Sequence, residues 1–150
     1  MTTPYDVPAK DLIDVIAKKL EKDENIEIPK ENIYSKTGVN RESTPTDKNW
    51  WYTRCAAIIR KVYIKNNIGV ERLAEEFGGK KNRGSKPHKA RAGSGTIARR
   101  ALQQLEKAGY ISKIKGRGRM LSPKGRSFMD NTSKELIDNI KNDYPGIEKY

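Results

Sequence analysis

The feature of this sequence that most limits its fold is a block of uncompensated positive charge in the second half of the chain. Residues 80–126 contain fifteen lysines and arginines but a single acidic residue, Glu106. Like charges at this density resist compaction unless a polyanion neutralises them, and nucleic acid is the common intracellular polyanion. A soluble protein with an ordinary basic surface is the plainer interpretation, but ordinary surfaces mix both signs. The charge therefore favours a nucleic-acid-binding protein.

The rest of the chain is nearly neutral, so the positive charge marks one region. Residues 1–50 carry eight basic and ten acidic side chains, and residues 131–150 carry three and four. A length of 150 residues suits one domain, and a hydrophobic content of 35% requires a small core under a densely charged surface. We predict a single domain over residues 1–150, monomeric when free, with a polar tail at residues 143–150.

Several classes of protein are disfavoured by what the sequence lacks. No apolar run approaches the roughly 20 residues that span a bilayer, and residues 1–30 lack the pattern of a secretion signal. We therefore expect a cytoplasmic protein without membrane contact. One cysteine and one histidine form neither a disulfide framework nor a structural zinc site, and we expect no cofactor.

Apolar side chains at helical spacing predict five helices, at about residues 8–23, 48–66, 69–78, 94–108 and 122–143. The second helix has a broad apolar stripe from Trp51 to Val62, so it should lie centrally. Prolines and a glycine interrupt residues 26–48. We interpret this segment as an ordered connector that wraps the domain, with a short helix near Ile33.

The order of elements between residues 48 and 122 is that of a winged helix. Two helices and a third one capped by Ser94 precede two alternating segments around the turn Gly116-Arg117-Gly118, and Ser122 caps the last helix. The predicted fold is mainly α: a winged-helix-like domain of about five helices with a small two-stranded β-hairpin wing. The glycines of the wing turn would let its backbone approach a phosphate.

A basic insert separates the two helices of the predicted helix-turn-helix unit. Residues 79–93 contain six cations and no acid, where this unit normally has a turn of three or four residues. We predict an insert loop, rich in glycine, that becomes ordered on a phosphate backbone. Such an insert would obstruct entry of the next helix into a DNA major groove and suits an irregular RNA surface better.

The candidate RNA contacts follow from which sides of these elements are expected to be exposed. Cations flank the apolar stripes of the helices, although an ordinary solvated helix carries such charges too. Trp50 lies outside the apolar arc, where it can pack on the connector or stack on a base. Arginine and lysine attract phosphate and donate hydrogen bonds to its oxygens. The predicted RNA-binding residues are Trp50, Arg54, Arg60, Lys61, Lys80, Lys81, Arg83, Lys86, Lys89, Arg91, Arg99, Arg100, Lys107, Lys115, Arg117 and Arg119.

The sequence gives little support to an enzyme. Residues 79–86 resemble a nucleotide-binding phosphate loop, but the final lysine and serine are in the wrong order and no apolar strand precedes them. Cys55 and His88 are the only candidates for a nucleophilic pair, and Cys55 falls on the buried stripe, where thiols are inert. We predict that the protein is not an enzyme and that His88 is one more phosphate contact.

Several motifs together resemble one known family. They are Asn49–Arg54 with Arg60 and Tyr63, the pairs Gly78-Gly79 and Arg83-Gly84, residues 93–95 with 98–106, and residues 118–119 with 121–125. Their order is similar to that in the small-subunit ribosomal proteins numbered nineteen of archaea and eukaryotes, over about residues 4–142. The short loops favour an archaeal-type member.

This resemblance implies a winged-helix-like protein bound to small-subunit ribosomal RNA in the head of the particle, beside other ribosomal proteins, with a role in subunit maturation. It also implies that the central helix and the wing region bind RNA, through Trp50, Arg54, Arg60, Arg99, Arg100, Arg117 and Arg119.

The main alternative is a winged-helix transcriptional regulator that binds DNA. Such a protein needs a dimerisation surface to match palindromic half-sites, and the sequence has neither a heptad seam nor an additional long apolar helix. A nucleic-acid-processing enzyme would need a carboxylate or metal cluster that the sequence lacks. We therefore expect a structural constituent of the small ribosomal subunit.

Overall fold

Residues 1–149, the part of the chain described by this computed structural model, fold into five α-helices and two small antiparallel sheets. The helices are α1 (Ala9–Leu20), α2 (Trp50–Lys65), α3 (Val70–Glu76), α4 (Gly95–Lys107) and α5 (Pro123–Ile140). The strands are β1 (Asn67–Ile68), β2 (Gly79–Arg83), β3 (Lys86–Arg91), β4 (Ile111–Ile114) and β5 (Gly118–Leu121). Two 3-10 turns cover Lys30–Asn32 and Ile147–Lys149. The prediction of a mainly α fold with a hairpin wing is confirmed.

Helix α2 occupies the centre of the domain because apolar side chains cover more than one side of it. Helices α1, α4 and α5 and strand β5 all pack against it. The apolar stripes of the neighbouring helices follow the 3.6-residue period and meet α2 in one contiguous core. The fully buried side chains of this core include Leu12, Ile16, Leu20, Trp51, Ile58, Ile59, Ile97, Leu102, Leu105 and Met129.

A polar clamp, formed by Trp51, Gln104 and Glu27, ties the connector to the core. Nε1 of Trp51 donates to Oε1 of Gln104 at 2.9 Å, and Nε2 of Gln104 donates to the backbone carbonyl of Glu27 at 2.8 Å. Trp51 is fully buried, so its N–H has no access to water and needs the glutamine. One side chain therefore joins α2, α4 and the connector.

Serine caps begin the last two helices, as the sequence predicts. Oγ of Ser94 accepts the N–H of Ile97 at 3.3 Å, and Oγ of Ser122 accepts the N–H of Gly125 at 3.1 Å. Each cap satisfies a backbone donor that the first turn of a helix leaves without a partner. The caps fix where α4 and α5 start, and so they also fix where the preceding segments end.

The predicted wing hairpin of β4 and β5 is present, and a third strand extends it. The sheet has the order β1–β5–β4, with Asn67 paired to Met120 and Ile68 to Arg119. Strand β1 has two residues, which is too short for alternation to be recognised in a sequence. This pairing holds the base of the wing against the end of α2.

The two glycines of the wing turn differ in what surrounds them, and alanine substitution should show this. Gly118 has a φ of +84°, and a Cβ there would lie 2.6 Å from the carbonyl oxygen of Ile68, whereas Gly116 has a φ of +77° and open space around it. We expect Gly116→Ala to cost about 1–2 kcal/mol of unfolding free energy through backbone strain. Gly118→Ala should cost about 1–3 kcal/mol more, because β1 must move. Urea denaturation measures both, and equal losses would contradict the close approach.

The basic insert is a β-hairpin, so the prediction of a loop is wrong. Strands β2 and β3 pair Gly79 with Arg91 and Lys80 with Ala90, and they join at a turn where Gly84 has a φ of +72°. Nearly every side chain of the two strands is exposed. Because neither face is buried, the sequence lacks the apolar alternation that marks a strand. We call residues 79–91 the basic ribbon.

Backbone hydrogen bonds and close packing fix the root of the basic ribbon. The N–H of Gly93 donates to the carbonyl of Ala74 at 2.8 Å, and the N–H of Ser94 donates to that of Thr37 at 2.9 Å. A Cβ at Gly78 would lie 2.2 Å from the carbonyl oxygen of Arg91. The connector and α3 therefore set the direction in which the ribbon leaves the body.

The last residues pack on the core more closely than the predicted polar tail would. Ile147 is 8% exposed and belongs to the main apolar cluster. Residue 150 of that predicted tail lies outside the described residues. Over residues 1–149, no helix combines the length and apolarity needed to cross a bilayer.

Candidate nucleic-acid interface

The basic ribbon brings six of the predicted contact residues together on an exposed hairpin: Lys80, Lys81, Arg83, Lys86, Lys89 and Arg91. The register places Lys81 opposite Lys89 and Arg83 opposite Lys86. Like charges that face each other across strands destabilise the pairing. None of the six ion pairs among the side chains that the structure describes involves the ribbon. The charges of the ribbon are therefore not neutralised by ion pairs with the described side chains.

Helix α4 exposes two of its three predicted contacts. Arg99 and Lys107 are exposed, as the facing of the helix predicts. Arg100 instead lies against the connector, where it donates to Oδ1 of Asn32 and is 3.4 Å from the carboxylate of Glu31. The prediction that Arg100 faces outward is wrong, because the 3-10 turn of the connector covers that side of α4. Its charge fastens the connector to the core.

The tip of the wing is free, whereas its base is engaged within the protein. Lys115 and Arg117 are exposed. Nε of Arg119 lies 3.3 Å from Oε2 of Glu106, and the Arg119 side chain is 12% exposed. Arg119 therefore joins the wing to α4 and is not the free cation that we predicted. Lys113, which is not among the predicted contacts, is exposed on β4, and the alternation of a strand places it on the same face as Lys115.

Arg54 on α2 is half-buried rather than fully solvated. The central carbon of its guanidinium group lies 4.3 Å from the centroid of the Phe77 ring, a cation–π contact. Burial, and to a lesser extent the nearby charge of Arg41, lower the pKa of Arg54 below its ordinary value. The side chain therefore packs on Phe77, directly after α3, and still presents a positive charge beside the ribbon.

The other two cations predicted on α2 are also not fully solvated. Nζ of Lys61 lies 2.8 Å from Oε2 of Glu76, and hydrogen bonding and charge from Lys61, with help from Lys65, lower the pKa of that carboxyl group. Arg60 is half-buried, and its Nε is enclosed without a hydrogen-bond partner among the described residues. Lys61 thus serves first to join α2 to α3.

Trp50 lies at the edge of a groove between α2, the connector and the basic ribbon. Its ring packs edge-to-face on Trp51, with centroids 5.5 Å apart, and it is half-buried. The groove has a volume of about 920 Å³ and includes Arg54 and Lys80, together with Arg41, which the sequence did not single out. The path of the connector creates this groove, and no periodicity in the sequence encodes that path.

The residues considered for catalysis are not brought together. Cys55 is fully buried on α2, and burial raises the pKa of its thiol to about 12, so it is protonated at neutral pH. His88 lies on the exposed ribbon, where Nδ1 is 3.2 Å from the carbonyl of Lys81. Within residues 1–149, no three side chains of the types that ligate metals form a group.

The fold and its charged elements define a winged-helix protein with a polycationic surface formed by the ribbon, the wing tip and one side of α4. Within this class, the chain belongs to the ribosomal protein S19e family, whose sequence model matches residues 3–139. The resemblance found in its motifs is confirmed over nearly the whole chain.

Named relatives support the same assignment. The small ribosomal subunit protein eS19 of Aeropyrum pernix is 42% identical over all of this chain and 99% of its own length. The eS19 protein of Thermoplasma acidophilum is 42% identical over 96% of this chain and 95% of its own. The eS19B protein of Schizosaccharomyces pombe is 36% identical over 89% and 93%. The higher identities to archaeal proteins confirm the expectation of an archaeal-type member.

Membership of this family fixes the general role. The protein is a ribosomal protein of the small subunit, structural rather than enzymatic, and its compartment is the cytoplasm as part of the ribosome. The alternative of a DNA-binding regulator loses its support, because the winged-helix layout that suggested it is that of a ribosomal family.

Proposed function

We propose that this chain binds small-subunit ribosomal RNA through the basic ribbon, the exposed side of α4 and the wing tip, and thereby supports assembly of the subunit head. The observation that carries the proposal is the register of the ribbon, which sets cations opposite cations with no acid beside them. Contact with phosphates would relieve this repulsion and release counterions from the RNA. The relatives are named as small-subunit proteins, which makes the RNA of that subunit the polyanion to test.

The position of the ribbon favours RNA over duplex DNA. The ribbon leaves the body between α3 and α4, at the start of the helix that would enter a major groove in a DNA-binding winged helix. Arg99, near that start, is exposed beside the root of the ribbon. A projecting hairpin there obstructs a straight DNA duplex but fits the irregular surface of folded RNA.

A second part of the surface suits protein neighbours in the head of the subunit. Ile33, Tyr34 and Val39 on the connector are 45%, 88% and 57% exposed, whereas the other large apolar side chains are mostly in the core. Apolar side chains grouped on one exposed segment are typical of protein contacts. In this proposal the protein is a monomer when free, and the connector is covered on assembly.

Shortening the ribbon should weaken RNA binding more than DNA binding. In the test variant, residues 80–90 are replaced by a short Gly-Ser turn, which removes five cations. If all five contact phosphates, we expect a loss of about 10³–10⁵-fold at 0.1 M salt for a small-subunit ribosomal RNA transcript, and a smaller loss for a random DNA duplex. Parallel titrations at fixed salt measure both losses.

The same proteins should differ in their retention on the subunit. Wild-type protein should co-sediment with small subunits at high salt, and the shortened variant should be lost first. Far-UV circular dichroism controls for folding. Tight, salt-resistant binding of wild-type protein to one palindromic DNA sequence, with weak binding to the transcript, would overturn the proposal.

A further inference from the structure

The groove beside Trp50 has the size of a small-ligand site. Its volume of about 920 Å³ lies in the range of about 300–1,000 Å³ that is typical of such sites. One wall is the start of α2, with Trp50 and Arg54; the second is the connector over residues 40–47; the third is the ribbon, which contributes Lys80. The groove therefore joins an aromatic ring to the most basic element of the fold.

The cations of the groove are available to a ligand. None of the six ion pairs within residues 1–149 includes Arg41, Arg54 or Lys80. Of the two acids that line the groove, Asp47 accepts the backbone N–H of Asn49 at 2.9 Å, which directs one of its oxygens towards the start of α2. The other acid, Glu42, lies on the connector wall. Arg41, Lys80 and Arg54, the last of them packed on Phe77, thus share the space with Trp50 and two acids, one of the acids partly engaged.

We propose that this groove takes one unpaired nucleotide of the RNA, with its base on Trp50 and its phosphate at Arg54 and Lys80. This proposal rests on the proposed function, since it names the form of RNA that one part of the surface binds. A base has two apolar faces, and a tryptophan ring stacks on such a face regardless of the base. The phosphate lies at one end of a nucleotide, so cations are needed at one end of the groove only. Arg54 and Lys80 of the ribbon provide them.

The mixed lining favours a nucleotide over the other small partners of a charged surface. A bare phosphate would leave Trp50 unused, and an RNA duplex has no free base face to offer it. Exocyclic amino groups of a base donate hydrogen bonds, and the carboxylates of Glu42 and Asp47 are acceptors on the same groove. Each part of a nucleotide therefore meets a group of matching chemistry.

The test compares two single-stranded RNA octamers that carry the same phosphates. One has bases throughout, and the other has abasic units at its central positions. We expect wild-type protein to bind the first more tightly by about 5- to 150-fold, the contribution of one stacked base, and Trp50→Ala to lose this preference. Trp50→Phe should keep part of it, because the ring remains. Tyr34→Ala is the matched control, since Tyr34 is an exposed aromatic residue on the connector outside the groove.

Fluorine NMR of protein labelled with 5-fluorotryptophan reports on the groove without relying on a truncated side chain. Trp50→Phe assigns the two signals. The Trp50 signal should shift with the complete octamer and not with the abasic one, and the signal of the buried Trp51 should stay in place. The proposal would be overturned if the Trp50 signal shifted with neither octamer, or if Trp50→Ala lost the same affinity for both octamers. The groove would then be a candidate contact for a protein neighbour.

A failure of this proposal can be told apart from a failure of the proposed function. If the ribosomal RNA transcript binds with a steep dependence on salt, while the base preference and the Trp50 shift are absent, only the nucleotide site is refuted. If neither the transcript nor either octamer binds at low salt, RNA binding itself is refuted, and the nucleotide site with it.

Discussion

A variant with five ribbon cations changed to glutamine will bind small-subunit ribosomal RNA about 10³–10⁵-fold more weakly than the wild type at 0.1 M salt. Each phosphate that a protein neutralises contributes about 0.7–0.9 to the slope of log affinity against log salt. If all five side chains contact phosphates, the slope should decrease by about 3.5–4.5. The variant and the wild type should then bind about equally at 1 M salt and differ by the stated factor at 0.1 M salt, one decade lower. Filter binding from 0.05 to 0.5 M salt measures both quantities. The changed residues are Lys81, Arg83, Lys86, Lys89 and Arg91.

A second variant with the same loss of charge separates local contacts from general attraction. In this variant five lysines outside the ribbon are changed to glutamine. They lie on α1, on α5 and at exposed positions nearby. We expect a far smaller change in slope, because exposed charges more than a Debye length from the RNA are screened. Equal effects of the two variants would contradict a localised interface. The control residues are Lys10, Lys18, Lys22, Lys134 and Lys149, all exposed.

The ribbon variant should be at least as stable as the wild type towards urea. Its cations make no ion pair within residues 1–149, and the facing pairs Lys81–Lys89 and Arg83–Lys86 repel each other. A loss of RNA binding together with a loss of stability would therefore point to unfolding and not to missing phosphate contacts.

Trp51→Ala should lower the free energy of unfolding by about 3–5 kcal/mol, the range for truncation of a buried aromatic side chain. Trp51 is fully buried on α2, so the substitution leaves a cavity at the centre of the core. It also leaves Oε1 of Gln104 without its donor, which weakens the polar clamp on Glu27. Urea denaturation followed by circular dichroism measures the effect.

The neighbouring tryptophan is the matched control for this prediction. Trp50→Ala removes the same side chain one position earlier, but from a half-buried site at the edge of the groove. We expect it to cost clearly less, because less apolar surface returns to water. Trp51→Phe should cost about 1–3 kcal/mol, mainly through the orphaned glutamine. If the two alanine variants are equally destabilised, the assignment of Trp51 to the core and Trp50 to the groove is wrong.

The regular elements of this fold were predictable because burial of one side of an element places apolar residues at regular intervals along the sequence. The stripe from Trp51 to Val62 placed α2, and the serines at 94 and 122 placed the starts of α4 and α5. Strands β2 and β3 were not predictable, because both faces of the ribbon are exposed and no period remains. The two residues of β1 were too few to show one.

The candidate site was predicted less completely than the fold, because pairing depends on which segments meet. Composition identified the cations, but it could not show that Arg100 is covered by the 3-10 turn of the connector or that Arg119 meets Glu106. The partner of Arg100 lies on a connector whose path no local rule fixes, and the partner of Arg119 lies on α4, whose position beside the wing depends on tertiary packing. The same limit concealed the groove at Trp50.

The ribbon is fixed at its root and projects from the body, so a small rotation at the root moves its tip through a larger distance. Strands of five and six residues extend about 17–20 Å from their base, so a tilt of a few degrees at the root displaces the tip by about one ångström. The root is held by the amide of Gly93 and by a contact at Gly78 too close for any side chain. The direction of the six ribbon cations is thus set by packing at the root, where none of these cations lies. Small errors in packing at α3 would therefore shift the cations at the tip of the ribbon.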